Sequence, residues 1–93
     1  AYDAYASAYA AKAKSSYYKS MLRADPILAT NHLVPIAETS KDDEMIGDVA
    51  DALWQRGQTD RAYALWRRAL KLDADDSEWI RKVQSVHEKR SPF

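Results

Sequence analysis

Between Asp43 and Asp76 two amphipathic helical patterns of about equal length follow one another across Arg56-Gly57-Gln58. Ile46, Val49, Ala50, Leu53 and Trp54 make the first apolar stripe, and Ala62, Leu65, Trp66, Ala69, Leu70 and Leu72 make the second. The end signals agree with the periodicity. Ser40 is the expected N-cap of the first helix, with Asp42, Asp43 and Glu44 in the first turn, where the helix dipole favours carboxylates. Gly57 can take the left-handed conformation that closes that helix. Thr59 or Asp60 then opens the second, and Arg67, Arg68 and Lys71 gather toward its C-terminal end. Ala50, Ala62 and Ala69 stand where two helices of a hairpin have to come close. Local propensity, charge and period all point to a helical hairpin.

The rest of the chain is consistent with an all-helical domain. Its 93 residues allow one modest core, and only two Gly and three Pro punctuate it. Without Cys, neither a disulfide framework nor thiolate chemistry is available. No apolar run approaches membrane-spanning length, and no signal peptide or initiator Met is present, so the expectation is a soluble, mature or trimmed chain, or part of a longer one. Lys and Arg total 14, as do Asp and Glu, so no bulk attraction to nucleic acid or anionic lipid is expected. Lys12, Lys14, Lys19 and Arg23 beside Tyr17 and Tyr18 make too small a patch to change that.

Five helices are expected. The first runs from Asp3 to Arg23, Ala-rich, with Tyr2, Tyr5 and Tyr9 at helical spacing. Asp25-Pro26 reads as an N-cap followed by Pro at the first helical position, opening a short helix from Ile27 to Glu38 that Pro35 should kink or shorten. The hairpin supplies the third and fourth. Asp75, Asp76 or Ser77 caps a fifth, Ser77 to Lys89, with Trp79, Ile80, Val83 and Val86 on one face, and Ser91-Pro92-Phe93 is a tail. The chain thus divides into 1–40 (Tyr/Ala-rich helix and Pro-kinked helix), 41–76 (hairpin), 77–90 (capping helix) and 91–93 (tail), all within a single helical domain, 1–93.

With Asp43 as its first position, the hairpin resembles a tetratricopeptide repeat, a helix-turn-helix unit of about 34 residues. Ile46, Val49, Ala50, Leu53, Ala62, Trp66 and Ala69 fall on the family's hydrophobic and small positions, whereas Ala74 stands where it usually has Pro. A partial echo, Tyr17 to Pro26, resembles the end of a preceding repeat. Asp25-Pro26 and Asp73-Ala74 are however 48 residues apart, so the array is irregular or the helix from Ile27 to Glu38 is an insertion. The resemblance implies a fragment of an α-solenoid built from antiparallel hairpins, closed by a soluble capping helix, that binds other proteins.

In that family the first helix of a repeat lines a concave groove, which implies groove positions at Glu44, Gly47, Asp48, Asp51, Trp54 and Gln55. Gly47 would let a partner backbone approach closely. Family members that clamp a C-terminal carboxylate do so with Lys, Arg and Asn, and these positions are instead acidic or Gly, which implies a basic or neutral partner segment. The Tyr2, Tyr5 and Tyr9 stripe has two readings: an interface for another chain, since Tyr suits half-wet contacts, or cover for the following helix.

Signals of catalysis are weak. His32 and His87 are isolated, Gly47 and Gly57 form no phosphate loop, and Glu44, Asp48 and Asp51 lack the His or facing carboxylates that helical metal sites use. No cofactor, catalytic residue or metal ligand is expected. The reading is an adaptor or assembly subunit that binds a protein or peptide in a helical groove, alone or in a larger complex. The alternatives are a structural protein that self-associates through the Tyr-rich helix, and a metal-dependent enzyme using the acidic face.

Overall fold

The computed structural model describes residues 2–12 and 14–93. Six helices are present among them: α1 (Tyr2–Ala11), α2 (Ser15–Ala24), α3 (Pro26–Ala37), α4 (Asp43–Gln55), α5 (Thr59–Leu72) and α6 (Ser77–His87). They form a slab with extents of 40 × 25 × 18 Å, a thickness of two helix layers. Helices α2, α4 and α6 make one layer, with α3 and α5 behind them, and α1 packs on α2 and reaches α3.

The single helix expected from Asp3 to Arg23 is two helices, α1 and α2. Local composition favours continuity, but tertiary packing wins. A straight helix would carry Tyr9 away from the core. The break folds α1 back so that Tyr9 meets Tyr18 edge to face, with ring centroids 6.1 Å apart. The connection passes through Ala13, which lies outside the described residues, and Lys14 beyond it is extended and leads into α2.

Asp25 caps α3 as expected, its carboxylate accepting from Leu28 N at 3.1 Å, with Pro26 at the first helical position. Pro35 falls in the last turn, and α3 ends two residues later at Ala37, so the backbone bond it removes lies where the helix is stopping anyway. The cap of α4 is Asp42 and not Ser40. Asp42 Oδ1 accepts from Met45 N, and Ser40 Oγ instead accepts from Asp42 N, holding the approach turn. Gly57 closes α4 at φ 81°, with Gln58 N bonded to Leu53 O and Gly57 N to Trp54 O. Asp76 is the cap of α6, accepting from Glu78 N. The turn from Asp73 to Asp76 ends α5 and does the work of the missing Pro beside Ala74.

The hairpin seam is as close as its small residues require. Ala50, Ala62 and Ala69 are fully buried, as are Ile46, Val49 and Trp66. Helix α3 packs on α2 and on α4, so that α2 and α3 lie as a pair stacked on α4–α5. Arg68 helps to fix the stack by donating from Nη2 to Ser40 O, in the loop between α3 and α4, at 2.8 Å.

Candidate functional site

Helix α4 sits in the middle of the front layer, and its acidic side chains are bound to its neighbours. Asp43 Oδ2 accepts from the Trp79 indole of α6 at 2.9 Å. Asp48 Oδ2 accepts from the Tyr18 hydroxyl of α2 at 2.9 Å. Asp51 Oδ1 accepts from both Trp66 Nε1 of α5 at 3.1 Å and Lys82 Nζ of α6 at 2.7 Å. Glu44 pairs with Lys19 of α2 at the surface. The acids expected to await a basic partner therefore already have internal ones. A lone hairpin leaves this face open, whereas in the stack both flanking helices present donors to it.

Gly47 is buried, and a Cβ there would collide with Cη2, Cζ3 and Cζ2 of Trp79. The close approach that only Gly permits is taken by α6 and not by a partner backbone. Of the remaining groove positions, Trp54 is half-buried with its ring 5.5 Å from that of Trp66, and Gln55 is exposed. Tyr2 and Tyr9 pack against the core, and Tyr5 is exposed. His32 and His87 are both exposed.

Burial decides the titration of this face. Burial is the main cause raising the Tyr18 phenol above its usual range, and the Asp48 charge adds to it, so Tyr18 remains a donor. Burial likewise lifts Asp48 above 3.8, against the opposing pull of the Tyr18 hydrogen bond and of Lys19, while Asp51 and Glu44 raise it further. A carboxyl raised on folding holds its proton more tightly in the folded state. Its ionisation therefore removes stability as pH rises from about 3.8 through the folded value. Asp48→Asn, whose amide oxygen still accepts from Tyr18, is expected to abolish that loss and leave the domain at least as stable as wild type at pH 7. Urea titrations between pH 3.5 and 7 read both quantities.

An acidic cluster that the sequence reading missed lies at the adjacent edge. The carboxylates of Asp43, Asp73 and Asp76 have oxygens within 4.8 Å of one another. Their proximity has a structural cause. Asp43 opens α4 and accepts from Trp79, while Asp76 caps α6, so two helix N-termini and an indole N–H balance the charge. Only the fold reveals it, because Asp73 and Asp76 reach Asp43 through the turn after α5.

The open part of the front layer is a groove of about 640 Å³ between α2 and α4. Lys19, Leu22 and Pro26 line one side, and Asp48, Asp51, Ala52 and Gln55 the other. Arg23 and Arg56 stand at its rim. Their nearest hydrogen-bonding partners are neutral, Ser20 Oγ and Asn31 Oδ1, and neither belongs to an ion pair among the described residues.

Stacked helical pairs with a continuous front layer define an α-helical repeat protein. Residues 45–83 match the family model of the tetratricopeptide repeat, so the chain carries such a repeat, spanning most of α4, all of α5 and the first half of α6. Comparison with curated proteins and with solved structures found no match. A repeat of this kind marks a module for protein–protein interaction. No helix among the described residues is long and apolar enough to cross a membrane.

Proposed function

We propose that the domain acts, without catalysis, as an adaptor or assembly subunit that captures a segment of another protein in the groove between α2 and α4. The observation that carries this reading is the groove itself, an apolar floor of Leu22, Pro26 and Ala52 with Arg23 and Arg56 at its edge. Asp51 is offset by Lys82 and Lys19 by Glu44, and the two unpaired arginines outweigh the single charge of Asp48, so the net charge offered to a partner at this rim is positive. The fitting segment presents an apolar side chain flanked by carboxylates, the reverse of the basic partner implied by the acids alone. Arg pairs with carboxylates in a fork geometry that gives both affinity and register.

Labelled peptides with a central Leu, flanked by Glu in one set and by Lys in the other, test this by fluorescence anisotropy. The Glu set is expected to bind, and Arg23→Glu with Arg56→Glu to weaken it by about 10- to 100-fold, as for loss of interfacial charge pairs. Preference for the Lys set, or indifference to the double substitution, would reject the groove as the site. Charge reversal at Glu44, Asp48 and Asp51 is a poorer probe, because it also removes the acceptors that hold Tyr18, Trp66 and Lys82.

A further inference from the structure

Residues 91–93, expected to be a tail, are seated. Helix α6 ends in a reversal in which Lys89 takes φ 61°, a left-handed value that non-glycine residues seldom adopt. Lys89 N bonds to Val86 O and Arg90 N to Ser85 O, the pattern that turns a chain back along its own helix. The returning segment buries Pro92 completely. Arg81 Nη1 donates to Pro92 O at 2.9 Å. Phe93 meets Trp66 edge to face at 6.0 Å, and the Lys82 ammonium lies 5.0 Å from the Phe93 ring centroid.

The receiving surface is more elaborate than a short segment needs. Lys82 Nζ lies 5.6 Å from the centre of the Trp66 ring and 5.5 Å from that of Trp79, and is held there by Asp51 and Glu78. It is a fixed cation among aromatic rings, with a guanidinium beside it that donates to a backbone carbonyl. Such a surface suits a proline followed by an aromatic residue. Proline is already rigid when it binds, and an aromatic ring is attracted to the cation as well as to the indole.

The hold on the segment is slight by comparison. Phe93 is 57% exposed, and no backbone hydrogen bond ties Ser91 or Phe93 to a helix. Attachment a few residues from α6 gives the segment a high effective concentration, so a weak fit suffices to keep it in place.

We propose that Pro92-Phe93 is a displaceable self-ligand, and that the Trp66–Arg81–Lys82 surface is a second docking site, for a Pro-aromatic segment of a partner protein. The occupant is identified by what the site already holds. A partner segment enters only when the strap leaves, so the strap sets a threshold for binding. This site lies on the α6 side of α4, away from the α2–α4 groove, and does not depend on it.

The test uses the full chain and the synthetic peptide Glu-Lys-Arg-Ser-Pro-Phe, with binding followed by tryptophan fluorescence and calorimetry. Phe93→Ala vacates the ring position and is expected to bind the peptide at least about tenfold more tightly than wild type does, since removing a tethered competitor restores intrinsic affinity. A peptide ending in Ala is expected to bind neither chain. Equal affinity of wild type and Phe93→Ala, or no binding to either at millimolar peptide, would overturn the proposal. Sedimentation of wild type is expected to give a monomer. A dimer that Phe93→Ala abolishes would overturn it in favour of exchange of the segment between copies. Should Phe93→Ala lose its cooperative melt, Pro92→Ala, which loosens the segment and leaves Trp66, Arg81 and Lys82 unaltered, takes its place. Unfolding of both would also overturn the proposal, because a displaceable strap cannot be what holds the domain together.

Discussion

Asp51→Ala lowers the stability of the domain by about 3–5 kcal/mol, the cost of leaving a buried charge without its partner. The side chain of Lys82 is only 3% exposed, and that of Asp51 27%. The same Asp51 oxygen accepts from the Trp66 indole, so one truncation removes the closer partner of the ammonium and the acceptor of the indole N–H together. Glu78 Oε1 remains 2.9 Å from Lys82, but its own side chain is half exposed and well hydrated, which places the expected loss toward the lower end. The pair need not be net stabilising. Replacing both partners, Asp51→Asn with Lys82→Met, is expected to recover most of the loss, because no charge is then left buried and the amide oxygen still accepts from Trp66. Urea denaturation of Asp51→Asn, Lys82→Met and the double variant gives the coupling directly. An Asp51→Ala cost below about 1 kcal/mol would mean that water reaches Lys82, contrary to its burial.

Gly47→Ala shows the opposite of what helix propensity dictates. In an exposed helix interior the change gains about 1 kcal/mol. Here the new methyl falls within the Trp79 indole, so α6 has to shift and its hydrogen bond to Asp43 breaks. Overpacking typically costs about 1–3 kcal/mol, and the lost indole bond adds to it, so a net destabilisation of about 2 kcal/mol is expected, and more for Gly47→Val. Tryptophan emission should shift to the red as Trp79 meets water. The sign of the effect depends on one neighbour. In a Trp79→Ala background the space is open, and Gly47→Ala should become stabilising. Destabilisation in both backgrounds would show that the constraint at Gly47 lies elsewhere.

The α4–α5 hairpin was legible because everything that specifies it is local. The stripes, Gly57 and the small residues at Ala50, Ala62 and Ala69 lie within one stretch of chain, and each has the expected burial or backbone angle. The break between α1 and α2 was not legible, since Ala-rich sequence favours a continuous helix and the contact that opposes it, Tyr9 on Tyr18, is tertiary. For the acidic face of α4 the sequence carries the spacing but not the bonding. Periodicity put Asp48 and Asp51 on the face of α4 toward the open layer, and both line the groove. Their partners, Tyr18 and Lys82, lie 30 and 31 residues away, and Trp79 lies 36 from Asp43, distances over which a pattern carries no register. At Gly47 the expected close approach was that of a partner backbone, and the neighbour in the fold is the Trp79 ring. The cap of α4 shifted from Ser40 to Asp42 because either can serve, and the loop from α3 decides between them.

The three aspartates of α4 have one effect in common. Together they take hydrogen-bond donors from three helices: Trp79 and Lys82 from α6, Trp66 from α5 and Tyr18 from α2. Apolar stripes alone tolerate a helix turning about its own axis, since one aliphatic contact exchanges for another. Slipping α4 by a single residue rotates each carboxylate by about 100° and breaks all of these bonds at once. The aspartates thus act as an angular key that sets α4 at one rotation, and with it the angle at which one helical pair lies on the next.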